Sequence, residues 1–223
     1  MLKIALIPAK SNSRRLPGKN KRLLGDKPLF AHSVDVALKS SEIDKVIVSS
    51  DSDDILEIAR ELGAIAIKRP VQLCGDNVPN LNVCKHVVDT LNNEGDDVEL
   101  MVLLQPTHPF RTAEELDKAI KTFTLNQEFD SLASVSSAHR VRGTILSDHG
   151  WEQENQAQQE RAQTKNDSFE ITGHLFILRV KNTIERQLLF GKRVYAWKLP
   201  KSWLDIDIDT EQDFLIAQAV IEK

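Results

Sequence analysis

The sequence predicts an α/β fold built on a doubly wound, mostly parallel sheet. Two observations carry it: strand and helix patterns alternate four times by residue 123, and the early strands are apolar on both faces. Residues 3–8 have no polar side chain after Lys3, as a centrally buried strand requires. Pro28 opens a helical pattern with Phe30, Val34, Ala37 and Leu38 on one face, and residues 45–50 return to strand. Acidic residues at 51–54 suit the positive end of a second helix, lined inside by Ile55, Ala59 and Leu62 and stopped by Gly63. Residues 64–68 give the next strand. A third helix at 81–92 carries Val83, Val87 and Leu91 at four-residue spacing, and 100–104 is a fully apolar strand. Thr112 and Glu115 form a capping box for a helix bearing Leu116, Ala119, Ile120 and Phe123.

The rhythm breaks near Ser131. Residues 132–135 read as strand, but 136–168 are polar, Gln-rich and aperiodic, so they form an inserted subregion within a single domain spanning 1–223. Strands resume at 170–178 and 194–198. The segment WLDIDIDTEQDF then alternates Asp205, Asp207 and Asp209 with Leu204, Ile206 and Ile208. A last helix from Thr210 places Phe214, Ala217 and Ile221 on one side.

Composition narrows the function. The net charge of −4 argues against a nucleic-acid or membrane-surface binder and makes any basic cluster a local exception. Cys74 and Cys84 lack metal-type spacing and read as packing residues, and no long apolar run or leader stands out, so a soluble, cytoplasmic protein is expected.

Such an exception follows the first strand. The loop IPAKSNSRRLPGKN groups Lys10, Arg14, Arg15 and Lys19 at the sheet edge where open α/β folds place ligands. An anion would relieve the repulsion among these cations, with Gly18 letting backbone N–H groups approach; the alternative is a solvated basic turn. At the other end of the chain, residues two apart in an extended segment project to one side, so Asp207 and Asp209 together suit a hard cation such as Mg²⁺. The alternative there is the wet face of an edge strand. A third piece, LLQPTHPFR at 103–111, brings Gln105, Thr107 and Arg111 to the same edge, either for a ligand or as a rigid turn with Arg capping carbonyls.

In this order the three pieces resemble the acylneuraminate cytidylyltransferases, and more distantly the 3-deoxy-manno-octulosonate cytidylyltransferases. The family's A-R-x-x-S-K/R-x-x-P-x-K-N is similar to AKSNSRRLPGKN, its LLQPTSPLR to LLQPTHPFR, and its DIDT to residues 207–210. Arg69 with Pro70, followed by Asp76, resembles a further element. The likeness spans nearly the whole chain.

The resemblance implies a Rossmann-like nucleotidyltransferase that transfers CMP from CTP to a nine-carbon 2-keto-3-deoxy acid sugar, releasing pyrophosphate with Mg²⁺. On this chain it implies Lys10, Arg14 and Lys19 at the phosphates, Lys19 stabilising charge at the α-phosphate, and Asn20, Arg69 and Asn80 at the nucleotide. Gln105, Thr107, Thr172 and Gly173 would line the sugar, Arg161 or Lys165 would meet its carboxylate, and Asp207 and Asp209 would carry the metal. Asp209 or a water it holds would take the sugar proton. The resemblance further implies a homodimer, with the 136–168 excursion reaching over the neighbour. The sequence departs from the family at Lys10 (usually Arg), Asn80 (often Ser) and Thr172 (Asn), so the identity of the sugar stays open. An eight-carbon acid sugar, or a nucleotide-binding regulator without turnover, are the competing readings.

Overall fold

The computed structural model describes residues 2–75, 77–137, 143–145, 151–153, 169–201 and 203–222. β1 (Leu2–Pro8) leads through the basic loop to a two-residue hairpin, β2 (Leu23–Leu24) and β3 (Lys27–Pro28), and then α1 (Leu29–Lys39). There follow β4 (Lys45–Ser50), α2 (Asp53–Glu61), β5 (Ile65–Lys68), α3 (Asn80–Asn93), β6 (Val98–Leu103) and α4 (Ala113–Leu125). The second half holds β7 (Ser131–Ser137), β8 (Gly143–Ile145), β9 (Trp151–Gln153), β10 (Phe169–Arg179), β11 (Val194–Lys198) and α5 (Glu211–Ile221).

One seven-stranded sheet runs β11-β7-β10-β6-β1-β4-β5. β1 pairs in parallel with both β4 and β6, so chain order reverses direction at β1, and the crevice between the ends of β1 and β6 is the topological switch point. β10 is the exception to the parallel sheet, lying antiparallel between β6 and β7. Strand direction is set by the path of the connection, which local pattern does not encode.

Alternation along the strands separates two cores. Ala5, Ile7, Val46, Val48, Leu100 and Val102 pack against α1, α2 and α4, through residues such as Phe30, Ile55 and Phe123. Ile4, Leu6, Ile47, Met101 and Leu103 face the other way, onto Cys84, Val87, Val88 and Leu91 of α3. The sheet is thus covered on both sides, as its apolar strands require. Cys84 is fully buried in this core, where burial pushes its thiol up to about 12, and is a packing residue; Cys74 is only partly buried, and its thiol, also raised by burial, donates to the Pro70 carbonyl.

A third cluster positions the site. Leu16 of the basic loop, Leu24, Leu29, Ile208, Phe214 and Ala217 form one apolar patch. It fastens the loop to the aspartate segment and to α5. The patch explains why two stretches from opposite ends of the sequence converge.

Local chemistry refines the expectation at three helix starts. α2 is capped by Ser52, whose Oγ accepts the Ile55 N–H. At α4 only half of the box is made: Thr112 Oγ1 accepts the Glu115 N–H, while the Glu115 carboxylate lies 3.8 Å from Lys118. The complete box is at α5, where Thr210 accepts from the Asp213 N–H and Asp213 accepts from the Thr210 N–H. Gly63 does end α2, with φ of 93°.

Within the 136–168 stretch the described part is the end of β7 and the antiparallel pair β8–β9; Arg161 and Lys165 lie outside the described residues, as does Asp76. Among the described residues, no helix is long and apolar enough to cross a membrane.

Candidate active site

The loop after β1 is held open by its neighbours. Ser11 N–H and Oγ donate to the two oxygens of Asp51, at 2.7 and 2.5 Å, and Asn20 Nδ2 donates to the Lys10 carbonyl at 2.8 Å. Gly18, with φ of 66°, turns the chain into a short 3₁₀ segment that begins at Lys19. The turn directs Lys19 inward, where it is 7% exposed.

Such a buried ammonium requires partners. Lys19 Nζ donates to Asp209 Oδ1 at 2.9 Å and to the Ile208 carbonyl at 2.8 Å, while Arg15 reaches Asp209 Oδ2 at 2.6 Å. The aspartate segment is fixed in turn by the Ile208 N–H, which donates to the Thr107 carbonyl, and by the Asp209 N–H, which donates to Asp213. Residues 204–209 belong to no strand of the sheet, and at their start the Ile206 N–H donates to the Leu204 carbonyl at 2.9 Å in a tight turn, so their acidic face is not that of an edge strand.

These pieces enclose a cleft of about 800 Å³. Its wall includes Lys10, Arg14, Arg15, Lys19, Asn20, Arg69, Asn80, Gln105, Thr107 and Asp209. Five of these side chains are cations and one is a carboxylate, in a chain whose net charge is −4. The charge pattern fits a polyanion, and the size is that of small-molecule sites, about 300–1,000 Å³. Arg69 is buried and donates to the Ser49 carbonyl and Oγ, and burial lowers its pKa. Sequence reasoning counts Arg15 only as one cation of the loop and Asp51 only as an acid at a helix start; it misses the bonds of Arg15 to Asp209 and of Asp51, just after β4, to Ser11.

The second half of the site is layered. Asp207, 52% exposed, is not among the residues that line the cleft; its pKa is raised by partial burial and then by the Asp209 charge, against the effect of the Thr107 hydroxyl. Thr107 Oγ1 lies 2.9 Å from Nδ1 of the buried His108. Behind it, His108 packs on His174 with ring centroids 4.1 Å apart. Burial first, and the neighbouring cations and imidazole second, push His108 down to about 2; burial chiefly takes His174 to about 4.

Arg111 is not a ligand-facing group. It is buried, and its guanidinium donates to the carbonyls of His174 and Gln105 and to Ser33 Oγ, at 2.6, 2.7 and 3.0 Å. Burial lowers it to about 9. The rigid-turn reading of this Arg holds. Thr172 also turns from the cleft: it is buried and its hydroxyl shares hydrogen bonds with Ser134. The hydroxyl is thus partnered within the sheet, and Thr172 is not among the residues that line the cleft. Gly173 sits beside it, against His108 and Gln105.

The cytidylyltransferase family profile matches residues 4–216, nearly the full span from β1 to α5. The chain belongs to the cytidylyltransferase family. Among relatives of this cytidylyltransferase, the CMP-N,N'-diacetyllegionaminic acid synthase of Legionella pneumophila is 32% identical, over 98% of this chain and 96% of its own. The N-acylneuraminate cytidylyltransferase of Escherichia coli is 29% identical over 99% of this chain, which spans about half (52%) of that relative's length. A solved CMP:2-keto-3-deoxy-manno-octonic acid synthetase complexed with CTP superposes with a TM-score of 0.73 at 15% identity, covering 100% of this chain and 99% of that one. It shares the fold. The match runs through the cationic loop, the 103–111 turn and the aspartate segment alike.

Proposed function

We propose that the chain is a CTP-dependent synthase of a CMP-sugar, activating a nine-carbon 2-keto-3-deoxy acid sugar with release of pyrophosphate. The observation that carries this reading is the meeting of Lys19 and Asp209 in one cleft with Lys10, Arg14, Arg15 and Arg69. The relatives named for sialic and legionaminic acids support the substrate class.

In this reading Lys10, Arg14 and Arg15 grip the β- and γ-phosphates, and Lys19 faces the α-phosphate, where negative charge grows during transfer. Asn20, Arg69 and Asn80 hold the remaining nucleotide, while Gln105 and Thr107 orient the sugar. The anomeric hydroxyl attacks the α-phosphorus in line, the bond to the leaving pyrophosphate breaks, and the proton passes to Asp209 or to a water it holds. Positioning and charge compensation do most of the work; no covalent intermediate is needed.

The donor set fits a magnesium ion. Asp207 is half exposed, and its mutual repulsion with Asp209 would be relieved by a divalent cation. Arg15, 67% exposed, is free to swing from Asp209 onto phosphate, exposing that carboxylate. When bound, Mg²⁺ held by Asp207 and Asp209 would supply charge neutralisation at the phosphates.

By the same resemblance we infer a homodimer, tested by light scattering, and a cytoplasmic enzyme, since CTP is its co-substrate. The decisive experiment incubates the protein with CTP, Mg²⁺ and a panel of eight- and nine-carbon acid sugars, and identifies products by mass. A CMP adduct of a nine-carbon sugar is expected. CTP binding with no product across the panel would leave only a nucleotide binder.

A further inference from the structure

Helix α2 begins at Asp53 and takes its cap from Ser52, so the carboxylate of Asp51 is not used by the helix. It reaches the loop after β1 instead. The Ser11 N–H donates to Asp51 Oδ1 at 2.7 Å and the Ser11 hydroxyl to Oδ2 at 2.5 Å, so a single loop residue engages both oxygens. The family's loop pattern leaves position 11 unspecified. Here it is Ser, whose hydroxyl adds a second bond to the one its backbone makes.

The support of that carboxylate is rigid. The Ala9 N–H and the Arg69 guanidinium donate to the Ser49 carbonyl, the Arg69 N–H to the Ser50 carbonyl and the Ser52 N–H to Ser50 Oγ. Asp51 is thus presented by a strand end that is tied on both sides. Burial draws its carboxyl up, but the Ser11 hydroxyl and N–H bring it below the ordinary range and keep it an acceptor. Ser11 and Asp51 are not among the residues that line the cleft, whereas Lys10, Ser13, Arg14 and Arg15 are. On charge alone an acid behind this loop is unfavourable, because it weakens the field that attracts a polyanion. Order offsets that cost: Lys10, Arg14 and Arg15 must be presented together, and conformational freedom removed before binding is not lost on binding.

We propose that Asp51 is a positioning residue for the cationic loop: by accepting from both the N–H and the hydroxyl of Ser11, it holds the loop in its polyanion-binding shape before the nucleotide arrives. Asp51 touches no substrate. Its effect passes through Ser11 to the cations on either side. The consequence for CTP rests on the nucleotide reading; the pinning of Ser11 does not.

Two measurements on the full chain test this. In calorimetry with CTP, Asp51→Ala should weaken binding at least about tenfold, and Ser11→Ala, which keeps the carboxylate and removes only the hydroxyl bond, about fivefold. Ser11→Thr keeps a hydroxyl and should stay within about twofold of the wild type. The double change Asp51→Ala with Ser11→Ala should bind no more weakly than Asp51→Ala alone, since the hydroxyl acts only through the carboxylate. Tighter binding by Asp51→Ala would make the carboxylate a mere repulsive charge and overturns the proposal, as do unchanged affinity in Ser11→Ala or additive losses in the double change. In amide hydrogen exchange of the free protein, the Ser11 N–H should exchange at least about tenfold faster in Asp51→Ala while the amides of β1 and β4 keep their rates. An unchanged Ser11 rate, or faster exchange through both strands, overturns the pin. Should the wild-type protein bind no CTP at all, the nucleotide reading fails, and the exchange rates alone decide whether Asp51 holds the loop.

Discussion

Lys19 Nζ and the Asp209 carboxylate, 190 residues apart, meet at 2.9 Å, and the Leu16–Ile208–Phe214 patch beneath them holds that meeting in place. Asp209 compensates a buried ammonium in the free protein and stands beside the proposed reacting phosphate. Asp209→Asn keeps the shape and removes the charge, and should lower kcat about 100-fold, measured as pyrophosphate release at saturating CTP and Mg²⁺. Turnover near the wild-type rate would exclude Asp209 as proton acceptor and metal ligand.

Arg111 ties together three elements: the 103–111 turn, β10 at His174 and α1 at Ser33. Arg111→Met would leave the buried His174 carbonyl without the Arg111 donor, and the Gln105 carbonyl with only the His108 N–H. It should reduce stability by about 3 kcal/mol, seen as a lower urea midpoint at unchanged m. A loss below about 1 kcal/mol would show that water replaces the guanidinium easily.

His174 is buried and neutral in the folded chain, with Nε2–H donating to the Leu204 carbonyl. Its pKa is about 4 when folded, against about 6.5 when unfolded, so between these values the unfolded chain binds a proton that the folded chain does not. Stability present above pH 6.5 is therefore lost as pH falls toward 4, by up to about 1.4 kcal/mol per pH unit for this histidine. His32, His86 and His108 are shifted the same way. His174→Gln keeps a donor for Leu204 and should flatten the pH dependence of the urea midpoint between pH 6 and 5 by one histidine's share. An unchanged slope would mean that His174 titrates normally.

Gly18 adopts φ of 66°, and a Cβ added to it would have no neighbouring atom within 4 Å, so the cost of Gly18→Ala is purely conformational. The change should destabilise by about 1 kcal/mol and lower the affinity for CTP, measured by calorimetry, because the same turn aims Lys19. An affinity equal to the wild type would show that the loop reaches its bound shape regardless.

Much of the fold is legible in the sequence where one physical cause dominates. Apolar runs such as 46–48 and 100–104 must be buried, and they lie in β4 and in β6 with the residue after it; the cations of the first loop had to face an anion or water, and they face a cleft. What escapes depends on partners distant in sequence. The antiparallel direction of β10, the use of Arg111 as a clamp and the enclosure of Thr172 by Ser134 follow from neighbours that no local pattern names. The Thr210 box escapes because its N3 residue is Asp213, a shorter acid than the usual Glu.

The most direct measurement compares pyrophosphate release by the wild-type chain and by Lys19→Met on mixing with CTP, Mg²⁺ and the free nine-carbon acid sugar. Rapid release by the wild type is expected, with release at least about 100-fold slower in the variant, because the buried ammonium beside Asp209 no longer meets the α-phosphate. Equal rates in the two proteins would contradict a transfer reaction centred on Lys19.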